Sequence, residues 1–145
     1  MNKTSGCDGD EGTAYEYREA SGTRRVVIED DGRTGYAYLL DGDEIVSDVW
    51  LYNRYAIADV RWDDPADLPF PNRAELIRPG LSLCVTDTSH VVCVWDRVGV
   101  DILVDGQLVA RLEAGVSPGW SFLAAIDGPC ARSLESRPGR SVAPV

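Results

Sequence analysis

The chain has 145 residues, 44% hydrophobic and 26% charged, and its 24 Asp/Glu against 14 Lys/Arg give a formal net charge of −10. That length fits one domain able to bury most of its apolar surface, and no apolar run approaches the roughly 20 residues of a membrane helix. The negative charge weighs against phosphate-seeking surfaces, whether nucleic acid or anionic membrane.

The charge is unevenly placed. Residues 1–67 hold 16 Asp/Glu against 7 Lys/Arg, whereas residues 68–145 hold 8 against 7. A basic protein partner is the natural complement of such a half; solubility alone is the other explanation. Residues 1–12 are polar and acidic with no apolar stretch of the secretory kind, which points to the cytoplasm. They read as a flexible N-terminus, residues 13–135 as a single β-rich domain, and residues 136–145 as a flexible tail.

In chain order, residues 14–19 alternate cleanly up to Ser21-Gly22, residues 25–29 stop at Asp31-Gly32, and residues 34–40 end at Asp41-Gly42-Asp43. Residues 44–52 return, with Ile45, Val49 and Leu51 out of phase with Val46, Trp50 and Tyr52. Asp-Gly pairs supply the positive φ of tight hairpins, so the first half reads as a four-stranded meander. From residue 53 to residue 80 the pattern breaks, and Pro65, Pro69, Pro71 and Pro79 exclude a central strand. One helical turn is expected at Asn72-Arg73-Ala74-Glu75, which has capping-box spacing.

A second set of strands begins at Leu81. Residues 82–86 are expected to pair with residues 90–95, and residues 100–104 with residues 107–113 across Asp105-Gly106. Both faces of the latter hairpin are apolar, which places it centrally. Ser117-Pro118 has the form of an N-cap and first-turn proline, predicting a helix that carries Trp120, Leu123, Ala124 and Ile126 on one stripe. Residues 129–135 suggest a second short helix. The expected fold is therefore mainly β (α+β): two antiparallel meanders forming a sandwich or partly open barrel, with short C-terminal helices.

The four cysteines, Cys7, Cys84, Cys93 and Cys130, match neither zinc nor redox spacing, and a chain without a signal is expected to keep them reduced. A two-residue turn at Thr88-Ser89 would set Cys84 opposite Cys93, within disulfide reach; two buried thiols are the alternative.

Reaction chemistry finds little support. His90, the single histidine, falls opposite Asp87 in that register, an arrangement more in keeping with a turn than with a catalytic base. The acidic clusters 8–11, 30–31 and 41–44 do not fit an EF-hand loop, and successive turns of a meander lie at opposite sheet ends, so they do not converge on one ion. No phosphate-binding glycine loop occurs. No catalytic residue, metal or cofactor is therefore assigned, and the chain is expected not to be an enzyme.

Aromatic residues remain. Two of four tryptophans and two of six tyrosines fall between Trp50 and Trp62, in a stretch ending on acidic residues. Trp50, Tyr52, Asn53, Arg54, Tyr55, Trp62, Asp63 and Asp64 have the composition of a protein interface. The competing explanation makes Trp50 and Trp62 core residues covering the open end of the sheet.

Three segments carry a family resemblance: Gly35-Tyr36-Ala37-Tyr38-Leu39-Leu40, Ser47-Asp48-Val49-Trp50-Leu51-Tyr52-Asn53, and Pro118-Gly119-Trp120-Ser121 with Asp127-Gly128-Pro129. They resemble small, uncharacterised bacterial β-rich proteins, some of toxin-immunity type. The resemblance spans about residues 15–135, implies a bacterial cytoplasmic origin, and transfers no functional residue. The leading expectation is a non-enzymatic protein-binding module, of the kind that inhibits a basic toxin. The alternative is a β-barrel or sandwich that binds a small ligand or carbohydrate by stacking on Trp50, Tyr52 and Trp62.

Overall fold

The computed structural model describes residues 13–20, 22–53, 76–81 and 83–137. Four strands, β1 (Thr13–Arg18), β2 (Arg24–Asp30), β3 (Thr34–Asp41) and β4 (Glu44–Asn53), form an antiparallel sheet in sequential order. The expected meander is present, and its turn chemistry is local. Gly32 and Gly42 take φ values of 93° and 63°, and Asp31 Oδ1 accepts the N–H groups of Arg33 and Thr34 at 2.8 and 2.9 Å. Asp31 is thus occupied in closing its own turn.

Two bulges reset the alternation of β4. Pairing passes from Leu39↔Ser47 to Leu40↔Ile45, which leaves Val46 extra, and from Gly35↔Tyr52 to Tyr36↔Trp50, which leaves Leu51 extra. An extra residue bends the strand and breaks strict two-fold alternation. Val49, Trp50, Leu51 and Tyr52 are consequently all buried, while Ile45 at the other end is exposed.

The second sheet contains β5 (Val91–Trp95), β6 (Gly99–Val104), β7 (Gln107–Glu113), β8 (Val116–Ser121) and β9 (Arg132–Ser133), again in sequential order. Only the β8–β9 pair is parallel. The β6–β7 hairpin turns at Asp105 and Gly106, both at positive φ (51° and 86°), as the Asp-Gly pair predicts.

The two sheets do not close into a barrel. They form a sandwich, with β4 packed on β7 and β8, and β3 touching β7. Val26, Ile28, Leu39, Trp50, Ile102 and Leu112 belong to one shared core. Along one side the sheets are tied together: Gly115 N–H donates to the Val46 carbonyl at 2.8 Å, Trp50 N–H to the Cys130 carbonyl at 3.0 Å, and Ser117 Oγ to Asp48. Along the other side, among the described residues, side chains of β1 and β2 reach β5 and the segment before it. Tyr15 Oη donates to Asp87 Oδ1 at 3.0 Å, and the Arg24 guanidinium lies 5.1 Å from the centre of the Trp95 ring.

Three expectations are corrected. The helix expected after Ser117 is instead strand β8, which follows a turn at Gly115 (φ 81°). A Cβ on Gly119 would stand 2.5 Å from the Arg111 carbonyl oxygen, so the backbone lies tight against β7. Pairing with β7 overrides the local Ser-Pro signal, as tertiary context commonly does. The second expected helix resolves into β9 and a single 3-10 turn, Leu134–Ser136, capped by Ser133. Residues 83–86 form no strand, and among the described residues β5 pairs with β6 alone. The Cys84–Cys93 opposition therefore does not arise: Cys84 is disulfide-bonded, but Cys93 and Cys130 are both reduced thiols. The expectation that the cysteines are all reduced fails at Cys84. The helical turn expected at residues 72–75 lies outside the described residues.

Candidate functional site

Trp50 and Tyr52 do not face solvent. Both side chains are fully buried, because the bulge at Leu51 directs this end of β4 into the sandwich. Trp50 Nε1 donates to Asn53 Oδ1 at 2.7 Å. Tyr52 Oη donates to the buried carboxylate of Asp30 at 2.7 Å and receives the Val85 N–H at 3.4 Å. Each ring thus has its polar atom satisfied in place, the condition for burying such a group without a large penalty. The expected role of Trp50 and Tyr52 as surface contacts is replaced by a core role, and neither ring offers a stacking surface for a sugar. Asn53 is half-buried and fixes Trp50. Arg54, Tyr55, Trp62, Asp63 and Asp64 lie outside the described residues.

His90 and Asp87 do not pair. The His90 main-chain N–H donates to Asp105 Oδ1 at 2.8 Å, and Asp87 receives Tyr15. Much of the negative charge is likewise committed. Arg111, nearly buried, is shared by Asp96 (2.8 Å), Asp101 (3.1 Å) and Glu113 (2.8 Å). Hydrogen bonding to Arg111 holds the Asp96 carboxyl below its usual range, aided by the Gly99 and Val98 N–H groups and opposed by partial burial. Arg24 also reaches this end of β5, where its guanidinium donates to the Asp96 carbonyl at 2.8 Å, so cations and carboxylates meet there.

The surface that sequence reasoning missed is β5 itself. Val91, Cys93 and Trp95 pack partly against the core, while Val92 and Val94 face outward at 40% and 50% exposure. On that outer face Val92 lies opposite Leu103 and Val94 opposite Asp101. Asp87 and Asp105 flank the start of the strand, and Asp96 follows its end. The result is an apolar strip bordered by carboxylates, and apolar strips with polar rims are the usual form of a protein contact surface. The run Val-Val-Cys-Val-Trp was visible as a strand, but its place at an edge was not.

Cys93 gives a check on this geometry. Burial pushes its thiol up to about 11, so about 0.1% is thiolate at pH 8, and the thiolate is the reactive form. Alkylation of Cys93 by iodoacetamide at pH 8 is expected to be on the order of 100-fold slower in the folded chain than in urea. Peptide mapping of the modified cysteine reads this directly, and comparable rates in both states would mean that Cys93 does not pack against the core.

Among the described residues no group of three or more His, Cys, Asp or Glu is placed to hold a metal ion, and no helix is long and apolar enough to cross a membrane. No protein-family model matches the chain, and no curated protein and no solved structure matches it either.

Proposed function

We propose that this chain is a non-enzymatic protein-binding module whose partner is positively charged. The observation that carries the reading is the solvent-facing strip of Val92 and Val94 with carboxylates at its border. The valines would supply the area removed from water, and the acidic surroundings, with the net charge of −10, would speed encounter with a basic partner and set its specificity. Inhibition of a basic toxin by occlusion is the specific form of this activity that the family resemblance adds. A cytoplasmic site of action is not required by it, since the disulfide at Cys84 is at odds with a reducing compartment.

Affinity capture from native lysate tests the reading, comparing the unaltered chain with Val92→Ser/Val94→Ser. Both substitutions are neutral and on the surface, so the fold should survive. A cationic protein is expected on the unaltered chain at low salt, released as salt rises, and bound roughly tenfold more weakly by the double variant. Equal retention by both chains, or retention indifferent to salt, would remove the proposal.

A further inference from the structure

The main chain of β5 carries an observation separate from its side chains. His90 and Asp105 form one hydrogen-bonded pair with β6, and Asp96 and Gly99 form another. Alternation between these ends turns the N–H and C=O groups of Val92 and Val94 toward β6 and those of Val91, Cys93 and Trp95 away from it. The outward groups make no backbone hydrogen bond among the described residues. Five consecutive residues of high β propensity, with no charge and no proline, thus present an open edge.

Other edges of the sandwich are guarded. β1 exposes Glu16 and Arg18, which pair at 2.9 Å, and Glu16 also holds Arg25 at 2.8 Å; charged side chains are a standard protection of an edge. The free side of β4 is bonded to Gly115 and Cys130, and β9 has two residues. β5 carries no charged side chain of its own; Arg24 reaches it from β2 at its far end, over the Trp95 ring and bonded to the Asp96 carbonyl at 2.8 Å.

We infer that this edge takes an extended, basic segment of a partner protein, which adds a strand beside Val91–Trp95. The inference rests on the reading of the chain as a binding module and names the mode and the partner's chemistry. Main-chain bonds to Val91, Cys93 and Trp95 supply affinity that does not depend on side chains. Alternate apolar residues of the added strand cover Val92 and Val94, which is how strand addition gains specificity. A Lys or Arg at its end meets Asp87 and Asp105 beside the start of β5. A second copy of this chain could pair about a two-fold axis at Cys93, but it would bring the same carboxylates together on molecules that each carry a net charge of −10. Charge complementarity selects the basic segment.

The test uses the full, isotopically labelled chain and a short acetylated peptide alternating Val and Thr with Lys at each end. Amide exchange at Val91, Cys93 and Trp95 should slow by about tenfold or more at saturating peptide, and the same peptide ending in Glu should bind at least about tenfold more weakly. N-methylation of one alternate set of peptide residues should abolish binding, and methylation of the other set should leave it intact. If both methylated sets bind, docking is through the valine face alone; strand addition is then overturned while the binding-module reading stands. If sedimentation shows the chain alone to be a dimer and exchange at these amides is already slow, a second copy is the occupant and the inference falls. If neither peptide changes exchange, the inference also falls, and the lysate comparison decides the broader reading independently.

Discussion

Replacing Trp50 with alanine is expected to destabilise the fold by about 3–5 kcal/mol. The ring is fully buried at the meeting of the two sheets, and removing it leaves a cavity walled by strands that cannot collapse together. Its main-chain N–H is tied to Cys130 at 3.0 Å, so β4 cannot shift to fill the space. The loss also removes the hydrogen bond that Nε1 donates to Asn53 Oδ1 at 2.7 Å. At about 3 °C per kcal/mol for a chain of this size, the melting temperature should fall by roughly 10 °C. Thermal unfolding followed by circular dichroism measures it. A surface anchor would behave differently, with the melting temperature nearly unchanged and binding lost. A fall of less than about 2 °C would therefore return Trp50 to the surface.

That contrast shows where sequence reading reached its limit. Aromatic composition is the same whether a ring anchors an interface or fills a core. The choice at Trp50 and Tyr52 was made by the extra residue Leu51, and a bulge has no signature in β4 alone. The meander β1–β4 and the β6–β7 hairpin were legible because their information is local: alternation within each strand and Asp-Gly at the turns. Ser117-Pro118 was misread for the same reason. A Ser-Pro pair fits the start of a helix as well as a strand, and only the distant partner β7 separates the two. Cys84 and Cys93 were placed by register arithmetic that presumed a strand at residues 82–86, where Val85 instead packs into the core beside the Tyr52 hydroxyl. The open edge of β5 was the least legible feature. Val-Val-Cys-Val-Trp has the composition of a strand covered on both sides, and strand order within a sheet is not written in any one segment. The acidic charge was legible in amount but not in availability. Asp30, Asp31, Asp96 and Asp101 are engaged in turns and pairs, so the total charge overstates what a partner can meet.

Gly35 and Tyr52 should behave as a single unit. They face one another across β3 and β4, and a Cβ on Gly35 would stand 2.3 Å from Cζ and 2.4 Å from Cε2 of the Tyr52 ring. The ring cannot slide aside without giving up the Asp30 hydrogen bond at 2.7 Å. Glycine here serves close approach, with the aromatic ring covering the exposed backbone of its neighbour. Gly35→Ala alone is expected to cost about 2–3 kcal/mol, and Tyr52→Ala alone about 3–5 kcal/mol. In the double variant the clash has nothing to clash with, and alanine in a strand is favoured over glycine by about 0.5–1 kcal/mol. The double variant should then be no less stable than Tyr52→Ala by itself, a departure from additivity of about 2 kcal/mol or more. Urea unfolding of the four chains measures it, with Tyr52→Leu replacing the alanine if the latter leaves too little folded protein. Strict additivity would mean that the ring does not lie over Gly35. The buried role of Tyr52 would then need another explanation.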